Sequence, residues 1–528
     1  MEIRLGSTAG PKLASVSECI DCFAEQTRLR QGQWLQRLVE TPDEFSVIES
    51  EIDRYYRLAA GRLTAALLAE ATAQPGMQEQ IQRVRQEAAC PVASPRSRPL
   101  HVRLLCGIVL AITTAYCPPR GKASRASHEE RTGLYPELAA LGFAKGCSPA
   151  LQYTVARTVA LQPSIALARK ELARQGIRLD TKTVRRIAER LGAQLLELRR
   201  RELFAWRAGD LPAGMDFAGR RVAVQIDGGR IRLRENKRNK GCKKKRRRVA
   251  FHTPWREPKV LTIFEIDQQG KMTRRHRQPL IDGTLLGPDH LAELLAYHLY
   301  QLGVHRAALA VFAADGAPWI WERLPWVVKR AGLIPSRVVY VLDFCHAAHH
   351  ISLALQALGM AEGPQRSKTY RQLRKLLRRS RYDQVVEALE RLARGQPKDS
   401  EAWREIRYLE KHGEAGHLQY ATFRRRGIPC GSGAIESAVR RVVNLRLKSN
   451  AMYWLPENAE ALFSIRATLL CDRWEETLQR LRCAMARDRR VNWAWQAPKT
   501  SKHPKAALGF HRSSMQATGR KQSPAAAA

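Results

Sequence analysis

Two apolar runs in this chain end on the same pair of residues. Val222-Ala223-Val224-Gln225-Ile226 leads into Asp227-Gly228, and Ala308-Leu309-Ala310-Val311-Phe312-Ala313-Ala314 leads into Asp315-Gly316. Apolar runs of this length read as buried strands, so each aspartate is expected where a core strand meets the surface. Taken singly, an Asp-Gly pair at a strand end is a turn. Two such ends in one sheet narrow the choice, and a third element narrows it further. Cys430-Gly431-Ser432-Gly433-Ala434-Ile435-Glu436-Ser437 reads as a small-residue turn opening a helix that continues through Val439, Val442 and Val443. Ser432 is its expected N-cap, and Glu436 falls in or just after the first turn. Alone, that glutamate complements the positive helix terminus. Together, two strand-end aspartates and a helix-borne glutamate supply the carboxylate oxygens that a divalent-metal phosphoryl-transfer site requires.

The surrounding pattern predicts a mixed sheet with helices on its faces. Strand-like runs at 221–226, 259–266, 308–312 and 337–342 alternate with helical stretches at 288–303 and 317–331. Upstream, Phe45, Ile48, Ile52, Tyr55, Tyr56, Leu63 and Leu67 recur at helical steps, whereas 86–135 is turn-rich around a strand-like run at 103–116. Helical periodicity returns from 148 to 205. There a helix, a turn with Gly176, and a Thr181-capped helix bearing Val184, Ile187, Ala188 and Leu191 predict a helix-turn-helix.

Charge names the class of partner. Lys and Arg number 90 against 50 Asp and Glu, a net charge of +40 that points to a polyanion, nucleic acid ahead of an anionic membrane. Residues 230–248 hold twelve Lys or Arg against the single acid Glu235 and end in Lys243-Lys244-Lys245-Arg246-Arg247-Arg248. Such a block is a solvated loop by default. Directly after the first acidic strand end, it would also neutralise phosphates beside a scissile bond. A second basic stretch, with Arg371, Arg374, Lys375 and Arg378, carries the possible packing stripe Tyr370, Leu373 and Leu377. In the helix-turn-helix candidate, Lys182, Arg185 and Arg186 could reach a groove, with a plain three-helix unit as the alternative.

The apolar run 104–113 is about half the roughly 20 residues that a membrane span needs, and the N-terminus lacks a basic-then-apolar signal pattern. The expectation is a soluble, cytoplasmic, nucleoid-associated protein without a membrane partner. Eleven cysteines, an odd number, do not make a disulfide framework. Cys19-x-x-Cys22, flanked by Ile20 and Phe23, reads as the buried face of an N-terminal helix.

Asp227-Gly228, Ala314-Asp315-Gly316-Ala317-Pro318-Trp319-Ile320-Trp321, Leu342-Asp343-Phe344-Cys345-His346-Ala347 and Gly431-Ser432-Gly433-Ala434-Ile435-Glu436-Ser437-Ala438 stand in that order. They are followed by Arg446-Leu447-Lys448 and Met452-Tyr453-Trp454. This series resembles the DDE transposases of the ISKra insertion-sequence family, from about residue 86 to about residue 475. The resemblance implies a multidomain α/β protein whose ribonuclease H-like catalytic domain is interrupted by a helical insertion. It implies Asp227, Asp315 and Glu436 as catalytic acids holding Mg2+ or Mn2+, two ions in all. Asp343-x-x-His346 matches an accessory element of related DDE families. Asp343 also ends a strand and rivals Asp315, and His346 is either an outer-sphere group or a core histidine.

The implied organisation is a helical region at 1–85, a degenerate zinc-ribbon-like region at 86–135 and a helix-turn-helix-like region at 136–210. The catalytic domain follows at 218–360, the basic helical insertion at 361–428, a final catalytic part with the Glu at 429–486, and a basic tail, disordered in composition, at 487–528. Two Cys-x-x-Cys pairs are expected in the ribbon, yet Cys90 is followed by Ala93 and Cys117 by Arg120, so a four-ligand zinc site is not expected. The implied function is binding of element-end and target DNA by a homo-oligomer in a synaptic complex, with strand cleavage and strand transfer. The alternatives are a catalytically silent DNA-binding derivative and a nuclease or resolvase that only hydrolyses.

Overall fold

The computed structural model describes residues 15–87, 98–114, 116, 135–236, 250–488, 493 and 495, together with the strand Glu2–Leu5. The basic run 243–248, Cys90, Cys117 and the tail 497–528 lie outside the described residues. The fold is mixed α/β. Its N-terminal part is helical as expected: α1 (Val16–Glu40), α2 (Phe45–Ala73) and α3 (Pro75–Glu87). The first opens on a capping box, with Ser15 and Glu18 bonding each other's backbone N–H. The Cys19/Cys22 face is not buried, contrary to expectation. Cys22 is exposed and Ile20 is half exposed, because the packing of α1 on α2 runs through Phe23 stacked on Tyr55 instead. The turn-rich region contains a hairpin of β1 (Arg98–Arg103) and β2 (Val109–Thr114), so its first strand lies in the basic segment upstream of the apolar run.

The three-helix unit is present as α4 (Pro149–Leu161), α5 (Ile165–Arg174) and α6 (Thr181–Ala208). Its third helix is capped by Asp180, which accepts from the N–H groups of Lys182 and Thr183; Thr181 is the first helical residue. The stripe Val184, Ile187, Ala188, Leu191 and Leu195 is buried, and it runs on to Leu198. Lys182, Arg185 and Arg186 project from the exposed face of the first two turns.

The central sheet comprises β3 (Arg221–Gly228), β4 (Lys259–Ile266), β5 (Met272–Thr273), β6 (Leu280–Thr284), β7 (Leu309–Ala314) and β8 (Val338–Leu342). Its order is β5-β4-β3-β7-β8, with β6 also pairing β4. The strands β3, β7 and β8 are parallel, and β4 is antiparallel to β3. Neither β5 nor β6 stands out in the sequence pattern. One face of the sheet packs Val222, Val224, Ile226, Ala310 and Phe312 against α7 (Pro288–Gln301). The expected 317–331 helix on this side is two short ones, Pro318–Trp321 and Leu324–Arg330, since Pro325 restarts the second. The other face packs Ala223, Val311, Ala313 and Val341 against α8 (Phe344–Ala357) and the helices α9 (Pro364–Arg378), α10 (Tyr382–Leu392) and α11 (Glu401–Glu414). Helix α9 divides as its sequence suggests, with Leu373 and Leu377 buried and Arg371, Arg374, Lys375 and Arg378 exposed.

The last block is helical: α12 (Gly433–Val439), a π-turn at Arg440–Asn444, α13 (Pro456–Leu470) and α14 (Trp474–Arg487). Helix α13 packs against α6, with Gly192 meeting Ala461 where a Cβ would fall 2.6 Å from the alanine methyl. Among the described residues no helix is long and apolar enough to cross a membrane.

Candidate active site

Parallel pairing of β3 with β7 puts Ile226 opposite Ala314, so the next residues, Asp227 and Asp315, leave the sheet side by side. Strand alternation turns both toward the face that carries Ala223 and Ala313, the side covered by helices α8 to α11. Asp227 is a strand residue paired with Val260 rather than the corner of a hairpin. Its Oδ1 accepts from the Gly228 N–H at 2.6 Å, and Asp315 Oδ1 accepts from Ala317 N–H at 3.1 Å.

The helix bearing Glu436 is held to this edge by two side chains from the sheet. Gln225, buried within the apolar run of β3, donates from Nε2 to the Gly431 carbonyl at 2.9 Å and accepts the Ile435 N–H at 3.0 Å. Asp343, buried at the end of β8, accepts the Ser432 N–H on Oδ2 and the His346 N–H on Oδ1, each at 2.7 Å. Both oxygens of Asp343 are thus committed to backbone. It acts as the N-cap of α8 and as an anchor for the Glu436 turn, which argues for Asp315 as the second acid of the site. Ser432 stands at the N-cap of α12 as expected, but its hydroxyl makes no capping bond to the backbone and donates instead to Glu436 Oε1 at 3.1 Å.

Electrostatics tie the acids together. Burial pushes the Asp227 carboxyl up to about 6, with the charges of Asp315, Glu436 and Glu257 adding to the rise and the Gly228 N–H bond opposing it. Glu257 was not anticipated. It lies over Gly228, where a Cβ would come within 1.9 Å of its Oε1, and its other oxygen pairs with the Lys259 ammonium at 2.6 Å. Among the described residues no three His, Cys, Asp or Glu side chains form a group able to hold a metal ion as they stand. The donor chemistry still suits a hard divalent cation: carboxylate oxygens at a partly open sheet edge, with Asp227 raised chiefly by burial and further by the charges of Asp315, Glu436 and Glu257.

The half-buried His346 ring faces His350, with their Nε2 atoms 3.2 Å apart. Around the acids, the ends of the basic run are brought together by a paired arm, Ile231 opposite Arg256 and Asn236 opposite Phe251. The Met452-Tyr453-Trp454 segment is sewn to this arm: Arg234 N–H donates to the Trp454 carbonyl at 2.7 Å, Trp454 N–H donates to Arg232, and Tyr453 packs on Phe251. Among the described residues, no hydrogen bond or ion pair joins Lys182, Arg185 and Arg186 of α6, or the basic face of α9, to the three acids. No protein-family model, curated protein or solved structure matches this chain.

Proposed function

We propose that the chain is a DNA transposase of the DDE type, cutting and joining DNA at the edge formed by Asp227, Asp315 and Glu436. The observation that carries this reading is the convergence of the three acids: two on adjacent parallel strands, the third on a turn fixed to the same sheet by Gln225 and Asp343. The strand order, with one reversed strand beside β3, supports a ribonuclease H-like reading of the sheet domain. The motif resemblance supplies the reaction.

Asp227, Asp315 and Glu436 would hold Mg2+ or Mn2+. When bound, the cation supplies Lewis acidity to an in-line displacement at phosphorus. The chain's own residues bind and orient. Gln225 and Asp343 fix the Glu436 turn, and the 243–248 run, which follows the first acidic strand in sequence, would supply positive charge to the DNA backbone. The exposed cations of α6 and α9 would offer further basic surface to element-end and target DNA, in a homo-oligomeric synaptic complex associated with the nucleoid.

The test uses purified chain, duplexes drawn from the DNA flanking its coding sequence, and Mg2+ or Mn2+. Strand cleavage followed by joining to a second DNA is the expected result. Cleavage without joining would make the chain a nuclease or resolvase, and tight binding without cleavage would make it a silent DNA-binding derivative.

A further inference from the structure

Helix α8 places His346 and His350 one turn apart on a single face. Their Nε2 atoms lie 3.2 Å apart and their rings meet edge to face at 4.9 Å. The far nitrogen of His350, Nδ1, donates to Oε2 of Glu405 on α11. Tyr408 stacks on the His350 ring at 3.8 Å and fixes its plane. The His350 side chain remains 16% exposed, so a small ion can reach the pair.

Each feature has a counterpart in metal chelation. Two ligand nitrogens on the edge of a tetrahedron, with metal–nitrogen distances of about 2.0 Å, stand a little over 3 Å apart, close to the spacing seen here. Histidines four residues apart on one helical face are a common chelating pair. A carboxylate on the remote nitrogen sets the tautomer that leaves Nε2 unprotonated and raises its basicity. Burial holds His350 below the usual imidazole range, with His346 and His349 lowering it further and Glu405 opposing. The ring is therefore neutral and ready to bind at pH 7.

We propose that His346 and His350 chelate a borderline transition cation of the Zn2+ class, with Glu405 as the outer partner and solvent completing the coordination. Imidazole donors select such an ion, whereas the carboxylates at Asp227, Asp315 and Glu436 suit a hard one. The two sites therefore sort metals by donor type. The protein supplies two ligands here, since no third His, Cys, Asp or Glu joins them among the described residues. The site is accordingly an exchangeable one. This inference does not rest on the transposase reading.

The experiment is a Co2+ titration of full-length, chelator-stripped chain, followed by visible d–d absorption in excess Mg2+. One equivalent should bind and Mg2+ should not displace it. The band should vanish in His346→Gln and His350→Gln, and Glu405→Gln should weaken binding about 10- to 100-fold. Circular dichroism checks the fold of each variant, and Glu405→Gln preserves side-chain size should either histidine variant unfold. A wild-type chain with no band would show that the two rings share only an N–H···N bond. A band that survives in both histidine variants would belong to cysteines or to the acid edge, and would equally overturn the proposal.

Discussion

Gln225 grips Ile435, the residue before Glu436, while standing two residues before Asp227 on β3. One buried amide thus sets the spacing between the first and third acids. Gln225→Leu would leave the Gly431 carbonyl and the Ile435 N–H without their partner, at a cost of about 1–3 kcal/mol for the buried N–H, while the exposed Gly431 carbonyl can turn to water. The expected outcome is a lower unfolding midpoint and a large loss of cleavage with DNA binding retained. Thermal unfolding, cleavage and DNA-binding assays on one preparation check it. Wild-type cleavage in a destabilised variant would mean that the Glu436 turn keeps its place without this bond.

Replacing single acids separates the reacting group from its supports. Asp227→Asn, Asp315→Asn and Glu436→Gln should each abolish cleavage and joining while leaving DNA binding close to wild type and without lowering the unfolding midpoint. Asp343→Asn should behave differently, because its amide NH2 would face an N–H group at His346 or Ser432. It should lower the midpoint first and reduce cleavage only in part. If Asp343→Asn is as stable as wild type and inactive, while Asp315→Asn still cuts, the second acid is Asp343.

The acidic strand ends and the two-sided α9 were legible because each rests on local periodicity that burial then follows, whereas the lead-in is helical as its periodicity suggests but leaves Phe45, Tyr56, Leu63 and Leu67 exposed. Other features depend on partners far along the chain. Strand β6, five residues containing Asp282-Gly283, is held by pairing with β4 and by Asp282 bonding Arg199 and His298, none of which its own sequence signals. Gln225 did leave a trace, as a polar residue in an otherwise apolar run, whose burial predicts a specific hydrogen-bond partner without naming it. Glu257 left none. Its closeness to Asp227 comes from strand pairing between Gly228 and Lys259, and from the missing side chain at Gly228.

Crowded carboxylates also make a pH prediction. Asp227 sits at about 6 in the fold against an ordinary 3.8, so the folded chain binds this proton more tightly than the unfolded one. Its contribution is therefore neutral below about pH 4, grows less favourable as pH rises to about 6, and is unfavourable above that. In metal-free buffer, Asp227→Asn should raise the unfolding midpoint at pH 8 and leave it nearly unchanged at pH 4. Differential scanning at the two pH values gives the comparison, and an equal effect at both would place the strain elsewhere than in charge.

The last expectation concerns the run from Lys243 to Arg248, whose flanks are closed by the pairing of Asn236 with Phe251 on an arm that begins where β3 ends at Gly228. The six cations of this run will release condensed counterions on meeting duplex DNA, and each neutralised phosphate contributes about 0.9 to the slope of log affinity against log salt. Replacing all six with Ser should flatten that slope by up to about 5 units. It should weaken specific and non-specific DNA alike, because phosphate contacts position a protein without reading bases. The same replacement on Arg371, Arg374, Lys375 and Arg378 provides the comparison, since these are exposed on α9 beyond its Leu373 and Leu377 stripe. Binding titrations between low and physiological salt distinguish the two surfaces. If only the α9 variant changes the slope, the arm is a solvated loop, and the DNA path beside Asp227 and Asp315 is laid by the insertion.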